Sequence, residues 1–523
     1  MTGHLEKASA EHLHGLRADL LALLGRRALT EDAARPEAVA RQHARGGRTA
    51  RELIDGLVDA GSLVEYGRFV TAAQEVNRSV DDLLDRTVGD GVIGGLATID
   101  GHQVAVVSYD YLVMAGTQGM RGHAKTDRLL EVIERLRLPV VFFASGGGGR
   151  PSDTDIPAVS GLDVPTFARW AALTGKVIRI AVVNDNCFAG NAVIAGCADL
   201  IVATPRSCLG MGGPAMIAGG GLGHVAAGDV GPLEVMTANG VVDLAVDDGH
   251  EEVAAAHLLG YFLGDVDGWT APDQSSLRGA VPENERTAYP VVPVIETLCD
   301  EDSVTVLRAD FAPELSTALG RIEGRTVGII ANDTRHMAGA ITADAGDKAA
   351  RFVNLCDAYG FAIISLVDTP GMMVGPDAEK TGLVRHTSRL LVAAAQVEVP
   401  LIGVVLRRGY GLGAQAMLGG STHTPVMTLA WPSAHLGPMG LEGAVRLAMA
   451  KELAAMDEDT REATVRDLTA QMQEHAGALN VARHGEIDDG IDPAETRRVI
   501  VRLLDAAAAE GRLARRARFL DVW

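Results

Sequence analysis

Hydrophobic and polar positions along this 523-residue chain recur in units of strand, turn and helix. The near-continuous apolar runs Leu138–Ala144 and Val177–Val183 each lead toward a glycine-containing turn, and helical periodicity lies between them. Runs that are apolar on both faces are typical of parallel strands covered by helices. Before them, Val92–Ile99 and Val104–Ser108 flank the turn pair Asp100-Gly101, which predicts a β-hairpin. The pattern therefore predicts an α/β fold with a largely parallel sheet.

The first 60 residues show mainly helical periodicity, with regularly spaced Leu and Ala in Leu13–Leu24 and again in Ala50–Val58. Between these segments lies a compact basic cluster, His43–Arg51, in an otherwise acidic chain. The sequence allows two interpretations of this cluster. It is either the solvated start of a helix or a contact for the phosphates of a ligand.

The chain also repeats itself. Each matching segment in the second half of the chain lies at the same distance from its counterpart in the first half. For example, Met337 follows Met114 by 223 positions. The pairs are Met114-Ala-Gly116 with Met337-Ala-Gly339, Lys125 with Lys348, Ala144–Gly148 with Val367–Gly371, and Ala189-Gly190 with Leu412-Gly413. A fixed offset over several segments indicates a duplicated domain. We therefore expect a helical segment (residues 1–60), a first domain (61–290) and a second domain (291–523), with the junction in the Pro- and Asp-rich stretch Asp265–Pro293.

In each copy, strands end in glycine-rich turns that open toward a helix. Such turns present backbone N–H groups, unobstructed by side chains, at the positive end of a helix dipole. They either hold a phosphate or stabilise an oxyanion that forms during a reaction. The sequence has no Gly-Lys-Ser/Thr, no hydrolase elbow, and the wrong glycine spacing at Gly146–Gly149 for a dinucleotide fingerprint. Four turns at repeat-related positions therefore favour two oxyanions, and with them two carbonyl substrates, over ordinary tight turns.

Composition excludes several classes of function. A net charge of −21 argues against a nucleic-acid partner. The five cysteines are scattered, and no His, Cys or Asp cluster has metal-ligand spacing, so neither a disulfide framework nor a metal site is expected. Residues 207–228 carry no charge, but eight of them are Gly, which favours a loop over a membrane span. Without a signal pattern at the N-terminus, we expect a soluble cytoplasmic protein.

Several motifs together carry a resemblance to a known family. They are Arg45–Arg51, Met211-Gly-Gly-Pro-Ala215, Asp368-Thr-Pro-Gly-Met-Met-Val-Gly375, Arg385-His386, Tyr410-Gly411, Ala430-Trp-Pro432 and Met439-Gly-Leu-Glu-Gly-Ala444. With these residues the chain resembles the carboxyltransferase (β) subunit of biotin-dependent acyl-CoA carboxylases of the propionyl-CoA and acetyl-CoA carboxylase type. The resemblance covers about residues 35–523.

The resemblance implies two crotonase-like (ClpP/crotonase) domains, each a ββα superhelix, in a homo-oligomer, a hexamer built as a trimer of dimers. It implies that acyl-CoA binds the first domain of one subunit and biotin the second domain of a partner subunit. The first oxyanion hole, for the thioester, carries over to Gly147, Gly148, Ala189 and Gly190. The second, for the ureido oxygen of biotin, carries over to Gly371, Met372, Leu412 and Gly413.

Further contacts are implied for Tyr410, Gly411 and Gln415 on the biotin side, and for Arg45 and Arg48 with the phosphates of CoA. The turn Ala144–Arg150 has one residue more than the Asp-Ser-Gly-Gly-Ala-Arg of many relatives, which leaves its donors open to within one position. Many relatives have Asp, near the acyl pocket, where this chain has Gln415.

The implied reaction moves CO2 from carboxybiotin to the α-carbon of acetyl-CoA, propionyl-CoA or a longer acyl-CoA. The sequence has no Ala-Met-Lys-Met biotinyl-lysine motif and no ATP-grasp region, so we expect a partner biotin carboxylase/biotin carrier (α) subunit that carries the biotin. Two alternatives stay open. One is a biotin-dependent decarboxylase or transcarboxylase acting on a malonyl-type CoA thioester, and the other is a non-catalytic crotonase-fold scaffold of a carboxylase complex.

Overall fold

The computed structural model describes residues 16–155, 160–511, 513 and 518–523. The start of the periodic segment Leu13–Leu24 lies outside the described residues. The chain forms two compact units. The first comprises the residues up to Met236 together with Ala245–His257, and the second comprises Thr237–Leu244 together with Leu258–Trp523. The stretch Asp265–Pro293, in which the sequence predicts the domain junction, lies entirely within the second unit.

The first sheet has seven strands in the spatial order β1-β2-β3-β4-β5-β7-β9, and β6 and β8 pair separately. The strands are β1 (Val64–Glu65), β2 (Val92–Ile99), β3 (His102–Tyr109), β4 (Val140–Phe143), β5 (Arg179–Val183), β6 (Asn186–Phe188), β7 (Leu200–Ala203), β8 (Cys208–Gly210) and β9 (Leu244–Ala245). Strands β2 and β3 form the predicted hairpin, and its turn residues Asp100 and Gly101 both have positive φ. From β3 to β7 the pairing is parallel, as predicted.

This part of the chain also forms helices, of which Ala50–Leu57 and Met120–Leu136 pack against the sheet. They span Ala18–Ala28, Pro36–Ala44, Ala50–Leu57, Val80–Arg86, Met120–Leu136, Thr166–Ala171, Gly190–Gly196, Pro214–Gly219, Leu233–Ala238 and Glu251–Gly260. The helix after the basic cluster begins at a capping box, in which the side chains of Thr49 and Glu52 bond each other's backbone N–H groups. The uncharged stretch 207–228 contains β8 and the six-residue helix Pro214–Gly219. No helix in the described ranges is long and apolar enough to cross a membrane.

The second sheet has the order β10-β11-β12-β13-β14-β15-β17, with β16 beside β14. Its strands are β10 (Thr305–Leu307), β11 (Leu315–Ile322), β12 (Arg325–Asn332), β13 (Ala362–Thr369), β14 (Leu401–Tyr410), β15 (Met427–Ala430), β16 (His435–Gly437) and β17 (Asp489–Gly490). The helices are Val292–Leu298, Ala343–Tyr359, Pro376–Glu379, Leu383–Ala395, Gly411–Met417, Leu441–Ala448, Ala450–Ala454, Glu458–Ala476, Ala478–Arg483 and Thr496–Ala509. Every residue of β13 is buried, as expected for a strand covered on both faces.

The two units repeat each other in structure as well as in sequence. Strands β11 and β12 begin 223 positions after β2 and β3, at Leu315 after Val92 and at Arg325 after His102. The following helices, Met120–Leu136 and Ala343–Tyr359, keep the same offset at both ends. After a short insertion, β16 corresponds to β8. The duplicated α/β architecture predicted from the sequence is confirmed.

Candidate functional site

The turn after β4 already uses most of its backbone donors. The Gly147 N–H donates to the Ala115 carbonyl oxygen at 3.0 Å, and the Gly148 N–H donates to Asn191 Oδ1 at 2.8 Å. Gly149 is the next residue, and none of the residues that the structure describes accepts a hydrogen bond from its N–H. Of the three neighbouring glycines, Gly149 therefore has the N–H that a ligand can use.

The direction of the Gly149 N–H follows from a parallel β-bridge to Gln118. The Gln118 N–H donates to the Gly148 oxygen at 2.7 Å, and the Arg150 N–H donates to the Gln118 oxygen at 2.8 Å. In extended chain, successive N–H groups point to opposite sides. Because the groups on either side of Gly149 bond to Gln118, the Gly149 N–H points away from it.

A second turn lies against the first. Ala189 has φ 51° and ψ −120°, an unusual conformation for a residue with a side chain, and its N–H donates to the Gly210 oxygen at 2.9 Å. Gly190 begins the helix Gly190–Gly196, so its N–H has no acceptor within the helix. A β-carbon on Gly148 would lie 2.9 Å from Ala189 Cβ, so the turns are in contact. The first unit thus has the N–H groups of Gly149 and Gly190 in two turns that are in contact.

Asn191 holds these two turns together. Its side chain is fully buried, and besides accepting from Gly148 it donates from Nδ2 to the Ala144 oxygen at 3.1 Å. A buried amide that satisfies both its donor and its acceptor across two turns fixes their spacing. The sequence motif around Ala189 contained Asn191, but only the fold shows what it bonds.

The second unit repeats this arrangement at the predicted positions. The Gly371 N–H donates to Thr369 Oγ1 at 3.1 Å, while no described residue accepts from the Met372 N–H. A parallel bridge again flanks the free group, here between Ile341 and Met372. Gly413 lies in the first turn of the helix Gly411–Met417, where N–H groups have no acceptor within the helix.

Gly413 lies directly against the Gly371-Met372 peptide. A β-carbon at Gly413 would be 2.8 Å from the Met372 nitrogen and 2.7 Å from Gly371 Cα. Only glycine allows the helix start to approach the turn this closely. Met372 and Gly413 follow Gly149 and Gly190 by 223 positions each, so the two units present equivalent pairs of N–H donors.

A cleft of about 660 Å³ opens beside the helix Gly411–Met417. Gly411, Leu412 and Gln415 line one side of it, and its other walls include Leu441 and Met472. Tyr410, which precedes the helix, is buried against Leu441 and Ala476. Burial raises the pKa of Tyr410 to about 12, so its hydroxyl stays protonated at neutral pH. The predicted biotin-side residues thus lie at or beside one cleft.

Comparison with known proteins assigns the family. The carboxyl transferase domain model matches residues 41–520. The chain belongs to the carboxyl transferase family. The 12S subunit of methylmalonyl-CoA carboxyltransferase from Propionibacterium freudenreichii subsp. shermanii is 33% identical over 493 residues, which cover 90% of this chain and 91% of that subunit.

Solved structures show the same relationship. A single-chain, multi-domain long-chain acyl-CoA carboxylase superposes with a TM-score of 0.89 at 50% identity, over 93% of this chain and 49% of that one. The transcarboxylase 12S crystal structure, a hexamer assembly with methylmalonyl-CoA and methylmalonic acid bound, gives a TM-score of 0.83 at 30% identity, over 95% and 96% of the two chains. The present chain thus spans about half the length of the first protein and nearly all of the second. The predicted acyl-CoA carboxylase carboxyltransferase with two crotonase-like domains is confirmed.

In this carboxyltransferase the two arginines predicted to contact CoA differ in availability. The Arg45 side chain is 49% exposed, with its guanidinium 4.8 Å from the centre of the Tyr111 ring and 3.7 Å from the Asp185 carboxylate. Arg48 forms an ion pair with the buried Glu252 and donates to the Glu52 oxygen at 3.1 Å. Arg45 is therefore the better placed of the two to meet an anionic ligand.

Among the residues that the structure describes, no group of three or more His, Cys, Asp or Glu could hold a metal ion. The sequence identified both turns, but it did not identify Gly149. The extra residue in Ala144–Arg150 shifts this turn by one position relative to the family motif. The repeat offset contains the missing signal, since it pairs Gly149 with Met372.

Proposed function

We propose that this carboxyltransferase moves a carboxyl group between biotin on a partner protein and the α-carbon of an acyl-CoA thioester, in the direction of acyl-CoA carboxylation. The observation that carries the proposal is the duplicated pair of free N–H groups, Gly149 with Gly190 and Met372 with Gly413. Each pair can stabilise one negatively charged oxygen, and two such oxygens form during the reaction.

The first pair would hold the thioester oxygen. Removal of the α-proton converts the thioester to an enolate, whose negative charge resides largely on that oxygen. Donors already fixed in place stabilise this charge without reorganising during the reaction. Hydrogen bonds at Gly147, Gly148 and Asn191 fix the turn. We therefore assign oxyanion binding to Gly149 and Gly190. The other predicted glycines have a supporting role.

The second pair fits the ureido group of biotin. Gly413 has no side chain, so the helix start lies directly against the Gly371-Met372 peptide, and a cleft lined by Gly411, Leu412 and Gln415 opens beside the same helix. A carboxybiotin bound there would supply the CO2 and, once decarboxylated, a group that accepts the α-proton. The chain's own residues would bind the ureido oxygen and so favour the negative charge left when CO2 departs.

We infer that the biotin belongs to a partner biotin carboxylase/biotin carrier protein and that the carboxyltransferase works as a hexamer. The 12S structure, similar over nearly its whole length, is a hexamer assembly. The long-chain acyl-CoA carboxylase has about twice the length of the present chain and several domains, which supports further functions outside these residues.

The acyl group is proposed to be longer than propionyl. The 50% identical neighbour is a long-chain acyl-CoA carboxylase. Gln415 stands where many relatives have an Asp near the acyl pocket, so this chain departs from those relatives at a position beside that pocket.

The test combines the carboxyltransferase with its co-purifying biotin carboxylase and follows fixation of radioactive bicarbonate. ATP-dependent, avidin-sensitive carboxylation is expected, with kcat/KM rising from acetyl-CoA through butyryl-CoA to palmitoyl-CoA. Release of CO2 from a malonyl-type thioester without any ATP-linked fixation would instead establish the decarboxylase alternative. The 33% identity to a methylmalonyl-CoA carboxyltransferase supports, as the second candidate, a biotin-dependent transcarboxylase that takes its carboxyl group from a malonyl-type CoA thioester. Failure of every carboxylation and decarboxylation assay in an assembled complex would favour the scaffold.

A further inference from the structure

The turn that contains Met372 differs from the equivalent turn of the first unit at one position that affects its backbone hydrogen bonds. In the first unit the Gly147 N–H donates to the Ala115 oxygen at 3.0 Å. At the 223-residue offset, the second unit has Pro370 in place of Gly147 and Ala338 in place of Ala115. Proline has no N–H, so this backbone bond cannot form. The turn nevertheless keeps the same bridge to the neighbouring segment, at Ile341.

An arginine side chain donates the hydrogen bond to Ala338 that Pro370 cannot donate. Arg408 Nη2 donates to the Ala338 oxygen at 2.8 Å. The same guanidinium donates from Nε to Asp368 Oδ1 at 2.7 Å, so Arg408 joins the start of the turn to the backbone that supports it. Its counterpart in the first unit, Asp185, carries the opposite charge and cannot play this part.

The local strand pairing explains how Arg408 reaches both groups. Val367 pairs with Val405, but Thr369 pairs with Gly409, so β14 has extra residues opposite Asp368. Such a bulge re-aims side chains. It directs Arg407 and Arg408 together onto the fully buried Asp368, whose Oδ2 also accepts from the Tyr289 hydroxyl at 2.9 Å.

The first unit has an uncharged version of this connection. Ser145, the counterpart of Asp368, accepts at Oγ from the Asn184 and Asp185 N–H groups, both at 3.1 Å. Asn184 and Asp185 are the counterparts of Arg407 and Arg408. Both units therefore connect the turn to the following strand at the same place, by a hydroxyl in one and by an ion-pair cluster in the other.

We propose that Arg408 is a positioning residue for the second pair of donors: through Asp368 and Ala338 it replaces the backbone bond that Pro370 cannot make and so fixes the Met372 N–H opposite Gly413. This inference rests on the proposed function only in naming the ligand as a ureido group. Arg408 acts through the backbone, because its guanidinium bonds are directed to Asp368 and Ala338.

The test is a rescue. Arg408→Met removes both bonds while keeping an unbranched apolar stem, and Pro370→Gly restores an N–H where the first unit has Gly147. Carboxyl transfer is measured in the full-length protein from a malonyl-type CoA thioester to free biocytin. We expect Arg408→Met to lower kcat at least 10-fold with the KM for the thioester changed less than twofold, because misplacement of a donor by about 1 Å costs about 100-fold. The double variant Arg408→Met/Pro370→Gly is expected to recover most of that loss.

Hydrogen exchange separates this inference from the proposed function. Amide exchange at Gly371–Met373 is expected to speed up in Arg408→Met and to slow again in the double variant, whether or not the wild type transfers a carboxyl group. Equal kcat in the single and double variants together with equal exchange rates would overturn the proposal, as would a fall in thioester affinity matching the fall in kcat. If Arg408→Met does not fold, Arg408→Lys, which keeps one of the two bonds, is compared with Arg408→Lys/Pro370→Gly under the same criteria.

Discussion

Gly413 approaches Met372 so closely that a β-carbon at position 413 would lie 2.8 Å from the Met372 backbone nitrogen. Side-chain carbons are not tolerated at this distance from backbone, so the glycine keeps two N–H groups, from different segments of the chain, side by side. In the second unit, the geometry of the proposed donor pair thus depends on the absence of a side chain.

Gly413→Ala is therefore expected to lower kcat by about 10²- to 10³-fold, the usual effect of losing one oxyanion donor, because the helix start must move away from the turn. The measurement is carboxyl transfer by the holo-complex, with the melting temperature as a check of folding. Gly443→Ala is the matched control. Gly443 lies in the helix Leu441–Ala448 with its nearest neighbour at 3.6 Å from an added β-carbon, so activity should be unchanged. Full activity of Gly413→Ala would contradict the assignment.

Much of this arrangement could be predicted from the sequence because it depends on local signals. The apolar runs, the Asp100-Gly101 turn and the constant repeat offset predicted the strands, the hairpin and the duplication. The turns themselves were predicted because glycines clustered at the end of an apolar strand favour a tight turn. The sequence did not predict which N–H groups are free, since that depends on Ala115 and Asn191 approaching from elsewhere in the fold.

The role of Arg408 illustrates the same limit. The sequence contains both the substitution of Gly147 by Pro370 and the arginine, but they are 38 positions apart and the two facts are unrelated until the bulge in β14 is known. A charged side chain beside a turn is more often solvated than bonded to the turn's own backbone. The replacement of a lost hydrogen bond by a residue distant in sequence can be recognised only in the structure.

Arg45 is expected to contribute to binding of the CoA phosphates. Arg45→Ala should raise the KM for acyl-CoA about 3- to 10-fold while leaving the KM for the matching acyl-pantetheine thioester unchanged, because one charge-assisted hydrogen bond is worth about 1.5–3 kcal/mol when buried and less at an exposed site. The difference should shrink as salt rises. Arg41→Ala, at a side chain 72% exposed and 3.9 Å from Glu37, is the control. Equal effects on both thioesters would show that Arg45 does not meet the phosphates.

Lys348 is expected to make stability depend on pH. Its Nζ is buried and donates to the Phe311 oxygen at 2.7 Å, and burial lowers its pKa from 10.5 to about 7. Between these values the unfolded chain binds more protons than the folded one, so the free energy of unfolding rises with pH from about 7 to about 10. Below about pH 7 both states are protonated and this contribution is constant.

Lys348→Met should therefore show a smaller rise in unfolding free energy between pH 7 and pH 9.5 than the wild type, measured by urea denaturation. Lys380→Met serves as the control, since its side chain is 75% exposed and pairs only at the surface with Asp377. Its pH dependence should match the wild type. Identical slopes in Lys348→Met and the wild type would contradict the lowered pKa.

We propose that backbone N–H groups, not side chains, stabilise the two oxyanions, with Gly149 as a donor to the thioester oxygen. The test compares kcat for carboxyl transfer in Gly149→Ala and Gly149→Pro. A β-carbon at Gly149 meets nothing within 4 Å, so alanine keeps the N–H without a clash and should retain activity within about threefold. Proline removes the N–H, and it should lower kcat by about 10²- to 10³-fold at an unchanged melting temperature. Equal kcat for the two folded variants would show that the Gly149 N–H does not stabilise the oxyanion.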